Sequence, residues 1–377
     1  MKKRWIILLS LLMINTALFS TITGLPKYVN KDIRAGINQL YNLNYNKANQ
    51  YFNKLLPAYK THPAPWFFKA MIYWTMINNM DNTEKTDRLF LKFINISINQ
   101  AKVFSSGKKN DSYYFYLAGS LGFLGRYYMY KKNWYKTITI GMKAYTLLKE
   151  SISLANSNYD LYLGLGFFNF YAGKLPRALK QLAGLLGVQG DWKLGLRQLH
   201  KAGSRGQFAS IEAKMILAHL YTYKIYRGHS ARKILNVLTK RFPRNPGFAI
   251  NLGDAQLNSG LKHLALATAQ RCLGNINNGL YNKRWRFRCY AQLGKIYFTT
   301  NQYMKAMKYL NLAIKTKFQE PINYLPWVHL RRGFIFAKYG YYSIAKAEYR
   351  KTIKMNTSYK ATLLAQSRLN KLQRKKN

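Results

Sequence analysis

Acidic residues are scarce in this sequence: 12 Asp and Glu stand against 61 Lys and Arg in 377 residues, a formal charge of +49. Acid–base or metal-assisted catalysis needs convergent titratable groups, and so few carboxylates leave little to build them from. Histidine is equally thin. His62, His200, His219, His229, His263 and His329 are scattered, with no HExxH and none at metal-ligand spacing from a carboxylate. No GxSxG occurs. The two cysteines, Cys272 and Cys289, lie 17 positions apart, a spacing wrong for a CxxC redox pair or a zinc site. An oxidising compartment would allow one disulfide; two small buried thiols are the alternative. The expectation is a protein that is not an enzyme and needs neither cofactor nor metal.

The few acids present are easily placed. Asp81, Glu84 and Asp87 form the only acidic cluster and follow Asn78 and Asn79. They are set to open a helix, where negative charge offsets the macrodipole. The GLG of Gly164–Gly166 weakly mimics a nucleotide loop, but no strand precedes it. Close helix packing accounts for those glycines better.

What is abundant is apolar residue and positive charge. At 48% apolar the chain can bury a large core, which excludes wholesale disorder. A codon bias toward Lys, Asn, Ile and Tyr would not remove acids. The shortage therefore points to a polyanionic surface nearby or to an acidic medium.

Lys2, Lys3 and Arg4 form a positive n-region, and no charge follows from Trp5 to Phe19, as in a secretory h-region. The uncharged run reaches Pro26, long enough to span a bilayer. Residues 1–24 thus read as a removed signal peptide or a retained N-terminal membrane anchor, both sending the remainder across the membrane. No cysteine stands near the end of the h-region, so a lipoprotein signal is excluded. The expected location is the periplasm or cell envelope.

The rest carries internal repeats. In AQLGKIYFTTNQYMKAMKYLNLAIK, Gly294 is followed by Tyr297 at +3, Ala306 at +12, Leu310 at +16 and Ala313 at +19. Gly333 has Phe336, Gly340 (+7), Ala345, Tyr349 and Thr352 on the same template. Gly253 has Gly260, Ala265, Ala269 and Cys272, and Gly36 has Ala48, Phe52 and Leu55. Such a template describes two antiparallel helices with small residues at the crossing and bulky ones beside it. It predicts that Gly333 and Ala345 meet at the closest approach. RFPRNPGF, with Pro243 and Pro246, ends one pair and opens the next.

These motifs resemble the tetratricopeptide repeat family, clearly over 33–75 and 210–356. The middle, 110–205, keeps a helical period but an irregular one. With GFLGRY at 122–127 and DLYLGLGFFNFYAG, most of 33–356 is similar to a group of uncharacterised bacterial exported repeat proteins. That group is itself distantly similar to a eukaryotic repeat family that includes mitochondrial outer-membrane proteins. The resemblance implies an all-α right-handed superhelix, an α-solenoid, over 25–377. It is expected to be at least two-thirds helical between 30 and 370, without a sheet.

The same family uses basic and Asn residues on successive first helices to clamp a peptide carboxylate. Asn251 and Arg288 fall where such residues stand, while Met215 and Gln292 replace the expected Lys and Arg, so the clamp is incomplete. By helical phase, Asn251, Arg288, Lys295, Trp327 and Arg331 are candidates for a peptide-binding groove. A second candidate is the basic aromatic stretch YNKRWRFRCY, where Lys283, Arg284, Trp285 and Arg286 have the composition of a polyanion contact. Its plainer reading is buried repeat aromatics flanked by solvated cations. LPRALKQLAGLLG, Leu175–Gly187, is amphipathic and reads as a core helix or as an interfacial one. The function expected is an exported scaffold for a protein or peptide near an anionic envelope surface. The alternative is a direct binder of polyanionic lipid, glycan or nucleic acid, with nucleic acid the least favoured because of export.

Overall fold

The computed structural model describes residues 19–20, 23–79, 81, 83–104, 110–154, 158–175, 180, 184, 187–316 and 324–374. Most of the expected leader, 1–24, and of the amphipathic stretch 175–187 lies outside these. No helix among the described residues is long and apolar enough to cross a membrane.

The chain is all-α in two compact units, 1–217 and 218–377. The first holds α1 (Lys27–Tyr41), α2 (Tyr45–Asn53), the short α3 (Leu56–Tyr59), α4 (Pro63–Asn78) and α5 (Glu84–Phe104). It continues through α6 (Asp111–Tyr130), α7 (Trp134–Leu154), α8 (Tyr162–Gly173) and α9 (Trp192–Arg205). The boundary falls inside α10 (Ser210–Tyr223). The second unit continues with α11 (Gly228–Arg241), α12 (Pro246–Asn258), α13 (Lys262–Asn277), α14 (Arg286–Thr299) and α15 (Tyr303–Lys315). It closes with α16 (Leu325–Lys338), α17 (Tyr342–Met355) and a last helix, α18 (Tyr359–Arg374). Upstream of the helices, Phe19–Ser20 pairs antiparallel with Leu25–Pro26, a two-residue ladder.

Helix starts follow side-chain chemistry. Asn245 Oδ1 accepts from the Gly247 amide at 3.0 Å, and Asp191 Oδ1 accepts from Lys193 N at 2.8 Å. Each satisfies an amide that has no partner within the helix. Pro63, Pro246 and Pro326 stand in first turns, where a missing N–H costs nothing. Glu84 and Asp87 open α5 as expected.

The crossing within each pair is filled by a large side chain. A Cβ on Gly333 would lie 2.6 Å from Tyr349 Cε1, so the residue seated on the glycine is the bulky one at +16. Gly294 meets Leu310 and Gly36 meets Phe52 in the same way. The +12 alanines, Ala48, Ala265, Ala306 and Ala345, are fully buried. Gly253 is the exception: its +16 residue is the small Ala269, and the side chain against it is Gln292 of the next first helix.

The turn between paired helices has its own rule. The +7 residues Leu43, Gly260, Asn301 and Gly340 all have left-handed φ, between 59° and 84°. Glycine and asparagine adopt this conformation most cheaply. Lys132, at φ 59°, stands at +7 from Gly125, and Gly141 at +16 lies 3.6 Å from where a Gly125 Cβ would be. The α6–α7 pair therefore keeps the template inside the stretch that reads as irregular. Two glycines replace glycine against a large residue there. The α10–α11 turn carries its left-handed residue at Tyr226, eight after the buried Ala218. One extra residue shifts its Ala231, Leu235 and Leu238 out of register. The GLG glycines are packing residues, since a Cβ on Gly166 would lie 2.8 Å from the Gly195 carbonyl of α9.

Opposite signs are expected at two glycines. Gly333→Ala drives a methyl into the buried Tyr349 ring and costs about 1–3 kcal/mol. Gly274→Ala, inside α13 with nothing within 4 Å of the added carbon, gains about 0.5–1 kcal/mol of helix propensity. Thermal unfolding of the two variants reads both signs; equal effects would refute the interlock.

Candidate functional site

In the second unit, α10, α12, α14 and α16 are the first helices of successive pairs, and α12 packs on α14 and α14 on α16. Their side chains at corresponding positions converge on one buried carboxylate. Asp254 is 3% exposed. Its Oδ2 accepts from the Tyr223 hydroxyl at 2.7 Å, and its Oδ1 from Lys295 Nζ at 3.0 Å. The Tyr223 hydroxyl also lies 2.9 Å from Asn251 Oδ1.

Burial pushes the Asp254 carboxyl up, but the Lys295 charge and hydrogen bonds from Tyr223, Lys295 and Gln292 outweigh it, holding the group below its ordinary range. Burial and the neighbouring carboxylate push the Tyr223 phenol well up, so it stays a donor. Arg331 is lowered to about 10 by burial, against the opposing pull of Asp254, and remains a cation at neutral pH. Its guanidinium lies 5.4 Å over the Trp327 ring and donates to the Trp327 carbonyl at 3.3 Å. Arg288 lies 4.9 Å over Trp285 and 5.2 Å over Tyr324. Rings beside guanidinium groups make a face suited to planar, aromatic or carboxylate groups.

Of the groove candidates, Asn251 bonds to Tyr223, Lys295 pairs with Asp254, Arg331 lies over Trp327 and Arg288 over Trp285. The structure adds that Asn251 and Lys295 are tied to an internal acid, so the face already holds one carboxylate of its own. Gln292 is 2% exposed and donates to the Ile250 carbonyl at 2.6 Å. It serves the packing of α14 on α12, not a clamp.

The polyanion candidate needs correction. Trp285 is 2% exposed, sunk where a 3-10 turn (Lys283–Trp285) leads into α14, so its ring cannot stack on a ligand. Lys283 is exposed, Arg284 and Arg286 half-buried, and Arg286 donates to Asn277 Oδ1 at 3.2 Å. Alternate cations and rings here are an inward ring and outward charges on one helix start.

The first unit contains a counterpart the sequence reading missed. Glu212, 5% exposed, accepts from the Tyr41 hydroxyl at 2.5 Å and from Arg126 at 2.6 Å. The Arg126 guanidinium sits 5.0, 5.2 and 5.1 Å from the rings of Trp74, Phe123 and Phe167. Arg126 follows Gly125 by one residue, as Asp254 follows Gly253 and Lys295 follows Gly294. Tyr41 follows Gly36 by five, as Tyr223 follows Ala218. Carrying helical phase from the second unit into GFLGRY would have found it.

One His–carboxylate pair also forms, at a separation no short motif shows. His329 Nδ1 lies 2.7 Å from Glu348 Oε2, with both residues buried and Arg332 and Lys351 3.5 Å from the other oxygen. It ties α16 to α17 on the side of α16 away from Trp327 and Arg331. Lys131 and Asp87 pair at 2.5 Å. No group of three or more His, Cys, Asp or Glu among the described residues could hold a metal ion.

Residues 157–317 match the family model described as Iml2/Tetratricopeptide repeat protein 39. The paired helices and their common register of small residues give the chain a tetratricopeptide-repeat fold. Among solved structures, it is similar to a tetratricopeptide repeat protein from Parabacteroides merdae at 12% identity, over 78% of this chain and 97% of that one, with a TM-score of 0.46. It is similar to a Rap protein solved with Competence and Sporulation Factor at 13% identity, over 93% and 98%, with a TM-score of 0.48. Yeast Tom70 aligns at 12% identity over 93% and 96%, with a TM-score of 0.30. Likenesses this distant say nothing about ligands.

The Asp254 network makes a prediction with a definite sign. A carboxyl depressed in the folded state contributes stability that is present above the unfolded value, about 4. That stability is lost as pH falls through the lower folded value. Asp254→Asn strips the countercharge from Lys295 and should cost about 2–4 kcal/mol at pH 7. The variant should also lose less stability than the parent between about pH 5 and pH 3. Denaturant unfolding across that range checks it; parallel pH curves would show that Asp254 is not a paired anion.

Proposed function

We propose that the chain is an exported scaffold that holds an extended segment of a partner protein against the first-helix face of its second unit. The observation that carries this is the alignment of Arg288, Trp327 and Arg331 on successive first helices, above an internal acid that is already neutralised. Stacked helix pairs bring no chemistry of their own, so function lies in what such a face holds. With Lys295 engaged by Asp254, the guanidinium groups and rings favour a segment bearing acidic and aromatic side chains. Export rests on the basic n-region and the uncharged run that follows it.

Affinity selection of a random peptide library on the full chain, followed by fluorescence anisotropy of the enriched peptides, tests the face. Enriched peptides should be acidic, and Arg288→Ala/Arg331→Ala should weaken them at least about tenfold, the scale of two lost charge-assisted contacts. Lys346→Ala, on α17, should leave them unchanged. Equal binding by all three proteins would remove the face from consideration.

A second reading, contact with an anionic envelope surface, is favoured by the corner between α6 and α7. Trp134, Tyr135 and Ile138 are 61, 78 and 50% exposed, beside exposed Lys131, Lys132 and Lys136. Aromatic rings with lysines are the composition of a bilayer interface contact. The full chain should float with phosphatidylglycerol-containing vesicles at low salt and release as salt approaches about 0.5 M, where screening shortens to a few ångströms. Trp134→Ala/Tyr135→Ala should weaken flotation severalfold. Flotation that ignores both salt and the substitutions would argue against this surface.

A further inference from the structure

We propose that Cys272 and Cys289 are joined by a disulfide in the mature protein, a covalent staple between α13 and α14. The two sulfurs face each other 2.9 Å apart, across the contact between the second helix of one pair and the first helix of the next. A disulfide needs about 2.05 Å, so closure asks for a shift of roughly 1 Å between sulfurs already aimed at one another. Cys272 occupies the +19 position of the Gly253 repeat, where the other repeats carry Leu55, Ala313 and Thr352. Cys289 stands in the first turn of α14, so the two cysteines lie on opposite sides of one repeat interface.

Their surroundings fix when the bond forms. Both residues are at most 1% exposed, so no external reagent reaches them once α13 and α14 have closed. The hydrogen bond to Cys272 and burial both push the Cys289 thiol well up, which starves the folded protein of the attacking thiolate. The reaction therefore belongs to folding. One thiolate attacks a sulfur of an external disulfide, forming a mixed disulfide and releasing one thiol. The second thiolate then attacks the chain's sulfur in that mixed disulfide, closing the Cys272–Cys289 bond and releasing the second thiol. The protons lost by the two cysteines end on the two released thiols, and the external disulfide is the oxidant. Once buried, the bond is shielded from reductant as the thiols were from oxidant, so it acts as a permanent constraint.

Its placement connects it to the binding face. Arg288 precedes Cys289 directly, and Lys295 lies on the same helix, so the staple fixes the helix that carries two of the face residues. A loop of this size constrains the unfolded chain substantially.

The inference rests on the proposed export only for the source of the oxidant, and two experiments separate the two. The purified full chain is refolded with oxidised and reduced glutathione, then alkylated without reductant and mapped by proteolysis and mass spectrometry. The expected product is a single peptide pair joined through Cys272 and Cys289. Adding dithiothreitol to unfolding assays should lower the melting temperature by roughly 6–12 °C, and the Cys272→Ala/Cys289→Ala protein should not respond. Alkylated free thiols after refolding would overturn the geometry. The chain is also trapped with an alkylating agent directly from its own host. Free thiols there, with closure during refolding, would overturn the native bond and count against export; a bond there supports both.

Discussion

The fold depends on one steric interlock, a residue without a side chain under a large side chain from the paired helix. Gly333 under Tyr349, Gly294 under Leu310 and Gly36 under Phe52 repeat it through both units. A bulky ring can occupy the crossing only because the opposing helix offers bare backbone, which brings the axes close and buries the ring completely. The left-handed residue at +7 belongs to the same constraint. A helix that must return antiparallel at this short distance has room for a turn of only a few residues, and its geometry demands positive φ. Leu43 and Lys132 accept a conformation that costs non-glycine residues about 1–2 kcal/mol. That they do so shows the crossing dominating the local preference of the turn.

Charge follows a second logic. With 12 carboxylates against 61 cations, an acid placed at random would be surrounded by solvated lysines and contribute little. Several acids of this chain are instead buried and engaged. Glu212 joins Tyr41 to Arg126, Asp254 joins Tyr223 to Lys295, and Glu348 gathers His329, Arg332 and Lys351. Asp160 Oδ1 accepts from the Phe208 and Ala209 amides at 2.9 and 2.7 Å, fixing the approach to α10. Buried carboxylates hold cations inside a chain whose cations otherwise repel one another.

The helix pairs at Gly36, Gly253, Gly294 and Gly333 were legible because each keeps its buried residues at fixed separations from the glycine. The α6–α7 pair was not, because Gly141 stands where a bulky residue is the rule and Thr137 where alanine is. The α10–α11 pair was hidden by one extra turn residue, which displaces Ala231, Leu235 and Leu238 by one position. Fixed-spacing templates fail where structure conserves contact instead of count. The groove candidates came from helical phase, which predicts direction well and partnership poorly. Asn251 and Lys295 point where phase puts them, yet Tyr223 and Asp254 claim them. Trp285 is buried, as the plainer of its two readings had it, at the end of a 3-10 turn that leads into the α-helix at Arg286. Glu212 lies 171 positions from Tyr41 and Glu348 19 from His329, distances that no local motif spans.

A repeat register does more than stack helices: it assigns roles by position. The residue after the small residue carries charge in Arg126, Asp254 and Lys295, and the residue two before it carries Phe123, Asn251 and Arg331, while Gln292 at the same position is buried against Gly253. These positions look along the first helices, away from the +16 interlock, so their side chains can vary without disturbing the crossing that holds the pair. The first and +12 packing positions keep small residues, whereas face positions here range over a ring, an amide and charges of both signs. Separation of this kind lets the face change while the architecture stays the same. In the second unit that face carries the ring of Trp327 with Arg331 over it and Arg288 over Trp285 and Tyr324, beside an acid already engaged by Tyr223 and Lys295.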